Sequence, residues 1–200
     1  MARLMATVVG IDPSLSSAGI AVLVDGRPRL LRAVGSPAIP GLAGHYPERS
    51  DRIGRQCRQI LTTIDTWTEH TGNHWPELAV IEGQAYGANM PSTSERSGLW
   101  WRLYASLRGR GVPIAVIAPK TRALWATGHG DADKPAVLTA ARSWWPWAAG
   151  HIRNHDIADA AALALAGALH CGDPMPFPLK PQHHNRLKAA QWPQLENAPR

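Results

Sequence analysis

Two hundred residues with a formal net charge of +6 and a pI near 9.9 describe one domain able to bury its own core, and favour a polyanionic partner. Two distant cysteines, Cys57 and Cys171, match no metal or redox spacing, which excludes a disulfide scaffold and a thiolate metal site. The opening "MARLMATVV" runs straight into Gly10 and Asp12, too short for a leader or a membrane span, so a cytoplasmic chain without a membrane partner is expected.

Thr7 to Asp12 is a β-branched run bounded by a turn, and reads as a buried strand. Gly19 to Val24 reads as a second strand, and Leu30 to Val34, after "DGRPR", as a third. Two successive hairpins imply an antiparallel opening to a sheet. A Gly/Pro-rich loop follows. Ile53, Cys57, Ile60, Ile64 and Trp67 then recur at helical spacing, which predicts an amphipathic helix from an N-cap at Ser50 to about Glu69.

"PELAVIEG" reads as a fourth strand ending on Glu82. "SERSGLWWRLYASLRGRG" reads as a helix buried through Leu99, Leu103 and Leu107. Trp100 and Trp101 on it lie about 100° apart around the axis, so one can join the core while the other faces outward. "VPIAVIAP" is a fifth strand. "ATGHGDADKPAVLTAARSWW" is a turn leading into a helix that ends before Pro146, and "NHDIADAAALALAGALH" is the last helix. From Gly172 the prolines break any periodicity, which predicts a basic, largely extended tail. The later strands alternate with helices, hence parallel pairing with right-handed crossovers. The expected fold is α/β: a five-stranded mixed sheet, three antiparallel strands then parallel ones, with helices on both faces. Residues 1–171 form the domain and 172–200 the Pro-rich basic tail.

Four acidic residues sit at matching ends of these elements. Asp12 ends the first strand and Glu82 the fourth, while Asp156 and Asp159 open the last helix on one face. Adjacent parallel strands would bring Asp12 and Glu82 together. Clustered carboxylates call for raised pKa values or a bound cation, and oxygen donors without cysteine suit Mg²⁺ or Mn²⁺. Two such ions about 3.5–4 Å apart support phosphodiester cleavage. Each residue also has an ordinary reading: Asp-Pro-Ser as a turn, Asp156 as a helix cap, Glu82 as a solvated strand end. Their joint placement favours the site.

The segments "GIDPSLSSAGIAV", "VIEGQAYGANM", "TGHGDADKPAV" and "HDIADAAALALA", in that order between Thr7 and Leu169, resemble the RuvC-type Holliday-junction resolvases of the ribonuclease H-like superfamily. The resemblance implies a ribonuclease H-like nuclease domain and a homodimer. It implies symmetric cutting of branched DNA, a four-way junction, with two Mg²⁺ or Mn²⁺ ions per site. By motif, Asp12 is the central metal ligand, Glu82 the second, and Asp156 and Asp159 complete the set, with His155 beside Asp156 as the alternative. Lys134 falls in "GxGxAxK", where a lysine contacts phosphate. Arg122 or Lys120 stands for a second basic residue, displaced by one position or more. Tyr86 is the candidate DNA wedge with Gln84 before it, and Gly83 looks like a one-residue insertion.

Other classes share parts of this pattern. An ATP-binding protein of the actin and sugar-kinase group shares the strand–Asp–turn–strand opening, but needs two such domains. A non-catalytic DNA-binding module has no use for the acidic set. A nuclease for flaps, forks or other branched DNA keeps the chemistry and changes the substrate.

Overall fold

Thr7–Asp12 form β1, whose alternation sends Val9 and Ile11 to one face of the sheet and Val8 to the other. The computed structural model describes residues 6–35, 45–72, 75–84 and 93–194. β2 (Ala18–Val24) returns antiparallel to β1, and β3 (Arg27–Val34) antiparallel to β2. β4 (Leu78–Glu82) joins the other edge of β1 in parallel, and β5 (Ile114–Ile117) joins β4 in parallel. The sheet order is β3-β2-β1-β4-β5, the expected five-stranded mixed sheet. β3 starts three residues earlier than the pattern suggests. Its Pro28 is tolerated because β3 is an outer strand, where a missing N–H costs little.

One face of the sheet is covered by α1 (Tyr46–Thr71) and α2 (Thr93–Gly109). Ile60 and Ile64 of the first and Leu99, Leu103 and Leu107 of the second meet Val9, Ile11 and Ile81 there. α1 begins at Tyr46, not at the expected Ser50. Its N-cap position is His45, and Pro47, with its preset φ, starts the first turn. Trp100 is buried and Trp101 is 57% exposed, which is the division expected of two neighbours about 100° apart.

The opposite face holds α5 (His155–His170), flanked by α3 (Pro119–Thr127), α4 (Lys134–Trp144) and a 3-10 turn over Pro146–His151. α5 is apolar on nearly every side because it lies between the sheet and these helices. Its alanines let it approach closely, and β1 and β2 answer with glycine. A Cβ on Gly10 would stand 2.1 Å from the Ala160 carbonyl oxygen, and one on Gly19 would stand 1.9 Å from that of Asp156. Both obstacles are backbone, so neither can swing aside. Gly10→Ala is therefore expected to lower stability by about 1–3 kcal/mol or more. Thermal unfolding checks it, and an unchanged midpoint would contradict so tight a helix–sheet contact.

Two expectations need correction. α3 was not anticipated, although Pro119 at its start and left-handed Gly128 at its end are ordinary helix signals. The segment after Gly172 is also not an extended solvated tail as far as residue 194. Leu187 is buried in the α5-side core, with Met175, Phe177, Ala190 and Trp192 packed around it. A short helix, α6 (Pro181–Asn185), lies within the segment, so α5 is not the last helix. Gln191 and Val116 exchange backbone hydrogen bonds at 2.9 Å, adding a bridge outside β5. Trp192 stacks on His170 with ring centroids 4.1 Å apart. His183 joins Trp125 and Phe177 in a ring cluster. Cys57 and Cys171 are unpaired thiols, as expected. Among the described residues no helix is long and apolar enough to cross a membrane.

Candidate active site

The parallel pairing of β1 and β4 aligns Ile11 with Ile81, so the next residues, Asp12 and Glu82, leave the same end of the sheet side by side. α5 runs across that end with its first turns. Asn154 caps it by accepting the Ile157 N–H at 3.0 Å, which places Asp156 and Asp159 in the opening turns beside the strand ends. Gly19 removes the side chain that would otherwise hold Asp156 away.

The carboxylates share one internal cation. Arg122 of α3 donates from Nε to Glu82 Oε1 at 2.5 Å and from Nη1 to Asp159 Oδ1. Arg122 is 9% exposed and Asp159 is 4% exposed, so both ion pairs are largely desolvated. Burial works against the guanidinium charge, and Glu82 and Asp159 more than offset it, so Arg122 is held firmly protonated. Asp12 lies beside the same group. Burial, then the Glu82 and Asp159 charges, push its carboxyl well above the usual carboxylate range, with Arg122 pulling the other way. Burial also pushes Asp159 up to about 6, opposed first by Arg122 and reinforced by Glu82.

The remaining expected residues are placed as follows. Asp156 accepts the Ser17 hydroxyl at 2.5 Å and adds its charge to the environment of Asp159. The His155 Nδ1 is buried without a hydrogen-bond partner. Lys134 opens α4 with an exposed side chain whose charge draws the Asp159 pKa down. Gln84 accepts the Ser97 hydroxyl at 2.6 Å. Lys120 is exposed and pairs with Asp131 at 3.1 Å. Arg122, expected at a DNA phosphate, is instead buried between two acids, because α3 turns it inward. Tyr86 lies outside the described residues.

A cleft of about 110 Å³ opens beside the cluster, lined by Asp12, Glu82, Gln84, Arg96 and Trp100 among others. The Trp100 indole donates to the Glu82 carbonyl at 2.8 Å and steadies the end of β4. The sequence marks neither Ser17 nor Arg96, and marks Trp100 only as one of a pair divided between core and surface. Ser17 and Arg96 carry no periodic signal, and Trp100 shows only its apolar spacing.

Whether this set suits a divalent metal can be tested on its chemistry. Asp12, Glu82, Asp156 and Asp159 offer hard oxygen donors with no thiolate, and they carry more negative charge than Arg122 alone neutralises. The donors therefore fit Mg²⁺ or Mn²⁺. Among the described residues no group of three His, Cys, Asp or Glu side chains is arranged to hold a metal ion as it stands. The guanidinium stands between two of the acids.

No family model matches the chain. Individual proteins do. The crossover junction endodeoxyribonuclease RuvC of Saccharopolyspora erythraea is 28% identical over 204 residues, covering 96% of each chain. That of Pseudarthrobacter chlorophenolicus is 29% identical over 168 residues, covering 82% of this chain and 81% of its own. Among solved structures, Thermus thermophilus RuvC in complex with Holliday junction substrate superposes with a TM-score of 0.60 at 22% identity. That match covers 94% of this chain and 99% of the other, and shows a shared fold. The enzyme of the same name from Synechococcus sp. (strain CC9311) is 32% identical over 169 residues, 80% of this chain and 96% of its own. With identity at this level over nearly the whole relative, the chain belongs to the crossover junction endodeoxyribonuclease RuvC family.

Proposed function

We propose that this protein is a structure-selective DNA endonuclease that resolves four-way junctions by divalent-metal-dependent phosphodiester hydrolysis, acting as a homodimer that nicks symmetrically. One observation carries the reading: Asp12, Glu82 and Asp159, from β1, β4 and α5, converge at one end of the sheet around a shared positive charge. Buried like charges are costly unless a cation uses them. The family and the net charge of +6 point to DNA as the substrate.

Asp12, Glu82, Asp159 and Asp156 are the residues that would hold Mg²⁺ or Mn²⁺. Such ions ease deprotonation of water and offset negative charge at the departing 3′ oxygen. The chain's own groups do the rest. Ser17 fixes the Asp156 carboxylate. Trp100 fixes the Glu82 backbone. Lys134, exposed at the rim yet close enough to bias Asp159, offers a positive charge to the scissile phosphate. Arg96 and Gln84 line the cleft where the strand would lie. Support for the dimer comes from α2, where exposed Trp101 packs edge-on to Trp100 and Tyr104 and presents an apolar patch.

The test is cleavage of a four-way junction, a fork, a flap and a linear duplex with Mg²⁺ or Mn²⁺. Paired symmetric nicks in the junction, with the linear duplex left intact, are expected. Preferential cutting of flaps or forks would keep the chemistry and replace the substrate. No metal-dependent cutting of any of them would remove the reading.

A further inference from the structure

Resting on that metal-dependent reading, we propose that Arg122 is a resident cation of the carboxylate cluster that competes with the divalent metal, so that metal loading requires its guanidinium to release Glu82 and Asp159.

The observation is a charged side chain placed among metal-type donors, with both ends of its fork engaged. Nε of Arg122 binds Glu82 at 2.5 Å and Nη1 binds Asp159. The three side chains are 10%, 15% and 6% exposed, so water screens neither pair. Mg²⁺ demands near-ideal octahedral geometry with oxygens at about 2.0–2.1 Å. Glu82 Oε1 and Asp159 Oδ1, each held by one N–H of a planar guanidinium, are not free to take up that geometry. Metal and guanidinium therefore compete for these two oxygens.

The origin of the arrangement lies in α3. Arg122 sits on its first turn, and its backbone N–H donates to the Ala118 carbonyl at 2.9 Å. Neighbouring Ala123 and Trp125 are buried in the same helix, and the Trp125 indole donates to the Ala162 carbonyl of α5 at 3.1 Å. The helix is thus docked against α5, with Arg122 pointing at the acids. Lys120 and Lys134, the nearby exposed lysines, do not enter the cluster. The same fork that neutralises the acids without metal becomes a free cation beside the cleft once metal arrives.

The test is calorimetric titration of the full chain with Mn²⁺ in the absence of DNA. Wild type, Arg122→Met, Arg122→Lys and Asp12→Asn are compared, with circular dichroism confirming each fold. Arg122→Met keeps the length and apolar stem and removes the fork. It is expected to bind Mn²⁺ at least 10-fold more tightly than wild type, and Asp12→Asn more weakly. Arg122→Lys, which keeps the charge and loses the planar fork, is expected between wild type and the Met variant, and carries the test alone if the Met variant does not fold. Equal or weaker binding by the Arg122 variants, with wild type binding and Asp12→Asn failing, would overturn the competition and leave the metal site standing. Absence of Mn²⁺ binding in all four proteins would overturn both.

Discussion

Asp12→Asn is expected to cut metal-dependent cleavage by at least about 10³-fold while making the metal-free protein more stable above neutral pH. A metal's contribution of several kcal/mol to the transition state, near 1.4 kcal/mol per decade of rate, sets that magnitude. The substitution keeps the shape of the side chain and removes a donor at the end of β1. The stability gain has a separate origin. Burial and the neighbouring Glu82 and Asp159 push the Asp12 carboxyl well above its usual range. A carboxyl raised in the native state holds a proton that the unfolded chain gives up, so stability falls as pH rises from the unfolded to the folded pKa. Asp159, raised to about 6, behaves the same way. Its rise of roughly two decades corresponds to about 3 kcal/mol once the window from near pH 4 to above pH 6 has been crossed. Metal-free wild type should therefore unfold more readily at pH 8 than at pH 5. The asparagine variant should gain over wild type at pH 8 and lose that advantage as pH falls toward the unfolded pKa of about 4, below which Asp12 is protonated in both states. Thermal unfolding across this range with chelator present checks both statements. A variant less stable than wild type at pH 8 would contradict the electrostatic description.

Lys134→Ala is expected to lower kcat by about 10²–10³-fold, the usual loss for one removed charge-stabilising donor, with Mn²⁺ affinity little changed. The backbone at this position is held independently of the lysine. Asp133 caps α4 by accepting the Ala136 N–H at 2.9 Å, and Pro135 presets the first turn. Alanine should leave the helix intact. The Lys134 charge reaches Asp159, which places it at the rim of the cluster, yet its side chain is exposed and free to meet a phosphate. Single-turnover cleavage together with Mn²⁺ titration separates the roles. Unchanged cleavage would remove Lys134 from the chemistry. A loss of metal affinity with normal cleavage at saturating metal would make it a support for the ligands.

The parts of this site that the sequence shows are those that periodicity and element ends reveal. Asp12 and Glu82 each close an apolar run, and parallel neighbours put such residues together. The Asp156–Asp159 spacing states a shared helix face. Arg122 could be named as a basic residue near the site but not placed. Its direction depends on how a short helix docks, and "KTRALWAT" shows no amphipathic pattern that would mark an arginine as inward. Ser17 was illegible for a similar reason, since one hydroxyl among several in a turn carries no sign of its partner. The segment after Gly172 misled because its anchors, Phe177, Leu187 and Trp192, are irregularly spaced between prolines. Contact with a core needs only a few well-placed side chains, and composition does not record where they land.

The most direct test of a metal-dependent carboxylate site is an anomalous-difference map from crystals of the full chain soaked in Mn²⁺. Manganese density touching the carboxylates of Asp12, Glu82 and Asp159 is the expected outcome. Saturating Mn²⁺ that leaves those three acids without a bound ion would contradict it.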